Sequence, residues 1–133
     1  MKTTAWIEMG KDGTFGIYTP DIESTIIGEG ATVEEAKADF ENSVSEVLEC
    51  YNETGKPLPE ELRDVEFEYK YDLPSFLSYY KILNMSKFAE YAKINPSLMR
   101  QYKSGQYISA GQRKKIQTAI HKIGRELASV NLL

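Results

Sequence analysis

The side chains of this chain that are best suited to catalysis are four carboxylates near its N-terminus: Glu8, Asp12, Asp21 and Glu23. A metal-dependent nuclease would need several such groups to converge on two metal ions about 4 Å apart. Asp12 falls in a predicted hairpin turn, whereas Asp21 and Glu23 follow the end of a predicted strand. Because this pattern does not bring the carboxylates together, we expect no catalytic residues, no metal and no cofactor.

Two further reactive residues stand alone. Cys50 is the only cysteine, which excludes an intrachain disulfide, and His121 is the only histidine. The sequence contains no serine, cysteine or histidine arrangement typical of a hydrolase, and no zinc or phosphate-loop motif. It also has no apolar run long enough for a membrane span and no signal-peptide pattern after Met1. We therefore expect a cytoplasmic protein that is not an enzyme and has no membrane partner.

Charge divides the chain into two halves. Residues 1–72 hold six Lys/Arg and 18 Asp/Glu, a balance of −12, whereas residues 73–133 hold ten and two, a balance of +8. A basic domain joined to an acidic one indicates two surfaces with different partners. The basic half suits the phosphates of DNA, because neutralising them releases counterions. The acidic half would repel nucleic acid and suits a basic protein.

The acidic half predicts a small sheet with one helix. Residues 3–9 and 65–72 alternate apolar and polar side chains like half-buried strands. Residues 14–19 are predicted as the second strand, and residues 25–28 as a third, short strand rich in β-branched residues. Asp12-Gly13 predicts a tight hairpin between the first two strands. Thr32 and Glu35 form a capping box that opens a helix, which Gly55 ends. The predicted order β-β-β-α-β gives an α+β domain, residues 1–72, with an antiparallel-rich sheet.

The basic half predicts only helices, and we assign residues 73–133 to a second, all-α domain. Helices are predicted over residues 75–83, 85–92 and 96–103, with Asn84 capping the second and Asn95-Pro96 starting the third. Ser109 and Gln112 form another capping box that opens a long last helix. The predicted buried stripe of that helix consists of Ile116, Ala119, Ile120, Ile123, Leu127 and Val130.

The segment from Asn84 to Gly105, which includes "INPSLMRQYKSG", has the pattern of two short helices joined by a tight turn. Ala89 provides the small side chain needed where the two helices approach most closely. The segment resembles the helix-turn-helix of the lambda-repressor and Cro-like family, over residues 75–127. In that family the second helix lies in the major groove of DNA. The resemblance, together with the nearby basic run, implies these DNA-binding residues: Asn95, Pro96, Ser97, Arg100, Gln101, Lys103, Arg113, Lys114 and Lys115.

The acidic half resembles a HicB-type antitoxin domain over residues 3–61. The similarity rests on the Asp12-Gly13 hairpin, on Tyr18 with Pro20-Asp21, on "TVEEA" after Gly30, and on the exit "GKPLP". It implies a partial ribonuclease-H-like fold without nuclease activity, followed by a DNA-binding domain. The implied function is a type II antitoxin that neutralises a small, basic, RNA-cleaving toxin of the HicA type. It would also repress its own operon by binding operator DNA as a homodimer or higher oligomer.

Two alternatives stay open at this stage. The second half can be a plain helical hairpin whose basic residues are only solvated. The chain can also be a stand-alone transcription regulator whose first domain senses another ligand or protein. A neighbouring gene for a small basic protein would favour the antitoxin over the stand-alone regulator.

Overall fold

The computed structural model describes residues 2–133 and confirms the predicted α+β class, with one four-stranded mixed sheet and five α-helices. The chain forms two compact units, unit 1 (Met1–Phe76) and unit 2 (Leu77–Leu133). The strands are β1 Lys2–Met9, β2 Phe15–Tyr18, β3 Ile27–Gly30 and β4 Glu66–Tyr71. The helices are α1 Val33–Thr54, α2 Leu73–Tyr79, α3 Met85–Tyr91, α4 Pro96–Lys103 and α5 Ala110–Ala128.

The sheet of unit 1 has the strand order β3-β2-β1-β4. Strands β1, β2 and β3 pair antiparallel in succession, and β4 returns to pair parallel with β1. The alternation predicted for β1 is present, since Ala5 and Ile7 are fully buried while Trp6 and Glu8 are exposed. The apolar face packs against α1, where Phe40 lies edge-on to the ring of Phe67 with centroids 5.1 Å apart. The core of unit 1 is therefore a two-layer α/β sandwich.

Local chemistry sets both ends of α1. The Thr32 hydroxyl accepts a hydrogen bond from the Glu35 backbone N–H at 3.1 Å, and the Glu35 carboxylate accepts one from Ala31 N–H at 3.0 Å. The first bond satisfies an amide that the first helical turn leaves unpaired, and the second holds the residue before the cap. Gly55 ends the helix at a φ of 69°, a left-handed conformation that costs glycine little.

Gly28 lets α1 approach β3 closely. A Cβ atom built on Gly28 would lie 2.5 Å from the backbone nitrogen of Phe40, well inside van der Waals contact. A Cβ atom built on Gly30, the next glycine that faces α1, would lie at the same distance from the backbone nitrogen of Ala36. Because the obstacle at both positions is helix backbone, a side chain there could be accommodated only by moving α1 as a body.

The third strand lies two residues later than the predicted range 25–28. The backbone N–H of Ile26 donates to the Thr19 hydroxyl at 2.9 Å, which holds the preceding residues in a loop. The Glu61 carboxylate accepts hydrogen bonds from the backbone N–H groups of Glu23 and Ser24, at 3.0 and 3.1 Å. These two bonds lower the pKa of Glu61. The local sequence of the loop does not predict these hydrogen bonds, because Glu61 lies far along the chain from Glu23 and Ser24.

In unit 2 the predicted caps are confirmed. Asn84, Asn95 and Ser109 each accept a hydrogen bond from a backbone N–H in the first turn of α3, α4 and α5 respectively. The predicted helix over residues 75–83 is too long, since α2 ends at Tyr79. The chain must turn before Asn84 can cap α3, and a turn bonded from Leu83 N–H to the Tyr80 carbonyl does this.

The predicted stripe on the last helix is wrong at its C-terminal end. Ile116 and Ala119 are buried, but Leu127 is 67% exposed and Val130, beyond the helix end, is 58% exposed. The 19 residues of α5 extend about 28 Å, whereas α3 and α4 have only seven and eight residues. Within unit 2, α5 is therefore much longer than α3 and α4. Within residues 2–133, no helix is both long enough and apolar enough to cross a membrane.

Candidate nucleic-acid interface

The helices α3 and α4 pack through a small buried interior. Phe88, Ala89, Ile94, Met99 and Tyr102 are at most 5% exposed, and Ala89 and Met99 are fully buried. Lys93 makes the turn between the helices at a φ of 59°. The Ile94 backbone N–H then donates to the Ala89 carbonyl at 2.9 Å, which closes the turn. Ala89 has no exposed surface, which agrees with the predicted close approach of the two helices at this residue.

Opposite this interior, α4 has an exposed polar face. Ser97, Arg100 and Gln101 are all exposed and share that face, since they are three and four residues apart. The Asn95 side chain accepts from the Ser97 backbone N–H at 2.8 Å, and half-buried Pro96 occupies the first helical turn. The Arg100 guanidinium donates to the Ser97 hydroxyl at 3.2 Å. These contacts hold the Ser97 hydroxyl and the Arg100 guanidinium side by side on the exposed face of α4.

The other end of α4 is tied to its surroundings. The Ser104 hydroxyl donates to the Gln101 carbonyl at 2.8 Å, and Gly105 takes a φ of 101°. The Gln112 side-chain amide lies 3.5 Å from the Tyr102 hydroxyl, a long hydrogen bond that links α5 to α4. Lys103 is exposed near this end. Buried Met99 and Tyr102 thus fix the inner side of α4, while its polar face stays exposed.

A second cationic surface lies between α3 and α5. It is a shallow groove of about 330 Å³ whose lining includes four lysines, Lys93, Lys114, Lys115 and Lys122. The Lys122 ammonium stands 5.5 Å from the centre of the Tyr91 ring, and the Tyr91 hydroxyl donates to the Glu126 carboxylate at 3.2 Å. Four lysine side chains lining one groove give it a positive potential suited to an anion.

The structure therefore divides the predicted DNA-binding residues into groups. Asn95, Pro96, Ser97, Arg100, Gln101 and Lys103 belong to α4 and its cap, and Lys114 and Lys115 line the lysine groove. Arg113 is exposed near the start of α5 and does not line that groove. Sequence reasoning missed Lys93 and Lys122. The spacing of Lys114, Lys115 and Lys122 along one helix could have indicated the latter, but only the fold brings Lys93 to them.

The four N-terminal carboxylates are spread over unit 1. Glu8 lies on β1, and Asp12 lies in the hairpin turn, where its carboxylate accepts from the Thr14 hydroxyl and backbone N–H at 2.7 and 3.0 Å. These bonds lower the pKa of Asp12. Asp21 and Glu23 lie in the loop before β3. No group of three His, Cys, Asp or Glu side chains within residues 2–133 is placed to hold a metal ion.

No protein-family model, curated protein or solved structure matches this chain.

Proposed function

We propose that unit 2 is a helix-turn-helix domain that binds DNA with α4 as the recognition helix. The observation that carries this proposal is the two-sided character of α4. Met99 and Tyr102 are buried and fix its position, while Ser97, Arg100 and Gln101 are exposed on one polar face. A helix held in this way can enter the major groove with its polar side chains against base edges.

The exposed residues of α4 differ in what they can recognise. The Gln101 amide can donate to and accept from one adenine, a pairing that discriminates between bases, and the Ser97 hydroxyl can pair with several edges. Arg100 and Lys103 carry charge and suit phosphates. The lysine groove and Arg113 extend the positive surface beyond α4. Phosphate contacts there would position the domain without reading sequence.

We further propose that unit 1 is a HicB-type domain with a partial ribonuclease-H-like fold. The element order β-β-β-α-β and the single helix on one sheet face support this arrangement. Its balance of −12 suits a basic, RNA-cleaving toxin of the HicA type, because carboxylates can take the place of RNA phosphates and opposite charge accelerates encounter. The whole chain would then be a type II antitoxin that acts as a dimer to repress its own operon.

Replacing Gln101 with alanine should weaken binding to the operator by about tenfold to a hundredfold, the cost of one good bidentate base contact. Binding to a scrambled fragment of the same length should change little. Fluorescence anisotropy with the DNA upstream of the gene measures both constants. Gln117→Ala, the same change at an exposed position of α5, should leave both intact, and equal losses on the two fragments would show that α4 does not read bases.

Lys114→Ala should instead weaken operator and scrambled DNA equally and reduce the salt dependence of binding. Each phosphate contact contributes about 0.9 to the slope of log affinity against log salt concentration, so the slope should fall by about that amount. Titrations at four salt concentrations give the slope. Lys56→Ala, at an exposed lysine of acidic unit 1, provides the matched control, and an unchanged slope for Lys114→Ala would remove the groove from the DNA interface.

The antitoxin assignment predicts that the full-length chain co-purifies with a small basic protein in near-stoichiometric amount. We would express the tagged chain from its native operon and identify bound proteins by mass spectrometry. That partner should cleave RNA when isolated and stop doing so when the chain is added. If DNA binding is intact and no such protein is recovered, the chain is a regulator with a different input.

A further inference from the structure

The sheet face of unit 1 that α1 leaves uncovered carries an aromatic row. The strand register places Lys70, Trp6, Tyr18 and Ile27 side by side on β4, β1, β2 and β3. The rings of Trp6 and Tyr18 stack with centroids 5.9 Å apart and planes 19° from parallel. Trp6 is 36% exposed and Ile27 is 54% exposed. Apolar side chains of neighbouring strands are thus exposed next to one another on the outer side of the sheet.

Carboxylates border the row. Glu8 lies two residues after Trp6 on the same side of β1, Glu29 has the same relation to Ile27 on β3, and both are exposed. Within residues 2–133 neither of these two carboxylates has an ion-pair partner. The ammonium of Lys70, the cation in the row, lies 3.9 Å from the Glu68 carboxylate, so these two charges offset each other. Negative charge is therefore free beside the aromatic rings.

Two carboxylates, Glu8 and Asp72, lie close enough to Tyr18 for their charge to act on its hydroxyl. Burial raises the pKa of the Tyr18 hydroxyl, and the charges of Glu8 and Asp72 raise it further. The part of this shift that comes from the two carboxylates reflects a negative potential, which favours a cation at the same place. The faces of tryptophan and tyrosine rings also attract cations. Stacked rings and free carboxylates therefore favour the same kind of ligand.

We propose that these five residues, Trp6, Glu8, Tyr18, Ile27 and Glu29, which we name the aromatic–acidic face, are the surface on which unit 1 binds a basic protein. Arginine side chains of that partner lie against the Trp6–Tyr18 stack and pair with Glu8. Arginine fits better than lysine because its planar guanidinium stacks on rings and forms two hydrogen bonds with one carboxylate. The inference rests on the proposed function in taking the basic protein to be the toxin.

The outer surface of α1 provides a comparison within the same unit. It carries exposed carboxylates such as Glu49 and Glu53, but none of the exposed large apolar side chains of residues 2–133 belongs to it. Charge alone would attract a basic protein to either side. Interfaces draw most of their energy from a few buried aromatic and arginine residues, so the side with Trp6 and Tyr18 is the one that can hold the partner.

Trp6 is the only tryptophan, so the intrinsic tryptophan emission of the full-length chain reports on this face alone. Titration with a hexa-arginine peptide should change the emission saturably, and 0.5 M salt should suppress the change. Hexa-lysine should bind more weakly and hexa-glutamate should have no effect. Glu8→Gln should weaken hexa-arginine binding about threefold to fivefold, whereas Glu49→Gln on α1 should not. An unchanged emission, or equal weakening by the two variants, would overturn the proposal.

The co-purified basic protein gives a second test. Trp6→Ala, with folding checked by circular dichroism, should weaken its binding at least tenfold and leave operator affinity unchanged. If that protein binds Trp6→Ala and Glu8→Gln as well as the unaltered chain, the face is wrong but the antitoxin assignment stands. If hexa-arginine binds at Trp6 but no basic protein co-purifies, the face stands and the assignment falls. Emission that changes when the chain alone is diluted would assign the face to a second copy and overturn the proposal.

Discussion

Replacing Gly28 with alanine should lower the free energy of unfolding of unit 1 by about 3 kcal/mol, near the upper end of what overpacking costs. The added Cβ would lie 2.5 Å from the Phe40 backbone nitrogen, and backbone cannot rotate away as a side chain can. Relief requires α1 to move off β3, which would loosen the packing around buried Phe40. Chemical denaturation followed by Trp6 emission measures the loss, because Trp6 belongs to this unit.

Gly16→Ala is the matched control for Gly28→Ala. Gly16 lies in β2 of the same sheet, and a Cβ there would meet no atom within 4 Å. The free energy of unfolding of Gly16→Ala should stay within about 0.5 kcal/mol of that of the unaltered chain, or rise slightly because alanine restricts the unfolded chain. Similar losses for the two variants would mean that glycine is required by strand conformation and not by the approach of α1.

Replacing Ala89 with leucine should severely weaken operator binding. Ala89 has no free surface between α3 and α4, so three additional carbon atoms must separate the two helices. Overpacking of this kind costs about 1–3 kcal/mol, a large fraction of the stability of a single small core. The displaced α4 would no longer present Ser97 and Gln101 together. Anisotropy with operator DNA measures the loss, and a hundredfold weaker affinity or worse is expected.

Ala128→Leu makes the same chemical change at the exposed last residue of α5 and should leave DNA affinity unaltered. Emission from Trp6 gives a second control, because Ala89→Leu should leave the response of the aromatic–acidic face to hexa-arginine as it was. Normal operator affinity for Ala89→Leu would show that the α3–α4 packing does not position the DNA-binding residues.

Local patterns were sufficient to predict most of the secondary structure. Alternation located β1 and β4, and the caps at Thr32, Asn84 and Asn95 marked helix starts, because both signals come from residues close in sequence. Long-range contacts decided where the predictions failed. The hydrogen bond from Ile26 N–H to the Thr19 hydroxyl makes β3 start later than predicted. Leu127 is exposed because α3 and α4 are much shorter than α5.

The candidate sites were less accessible to sequence reasoning. The polar face of α4 could be predicted because its residues lie within two helical turns. The lysine groove could not, since Lys93 and Lys122 meet only after α3 and α5 pack. The aromatic–acidic face likewise depends on register, because Trp6, Tyr18 and Ile27 come from three strands. Alternation indicates which side of each strand is exposed but not which residues become neighbours across strands.

The strand order has a consequence for self-association. The edge strands of the sheet are β3 and β4, and open edges invite strand-to-strand joining that leads to aggregates. β4 alternates exposed charged residues, Glu66, Glu68 and Lys70, along its length, and β3 has only four residues, two of them glycines. Another copy docking edge to edge would have to desolvate the charged side chains of β4 on one side, and it would find little strand to pair with on the other. Both edges of the sheet are therefore poor templates for a fifth strand.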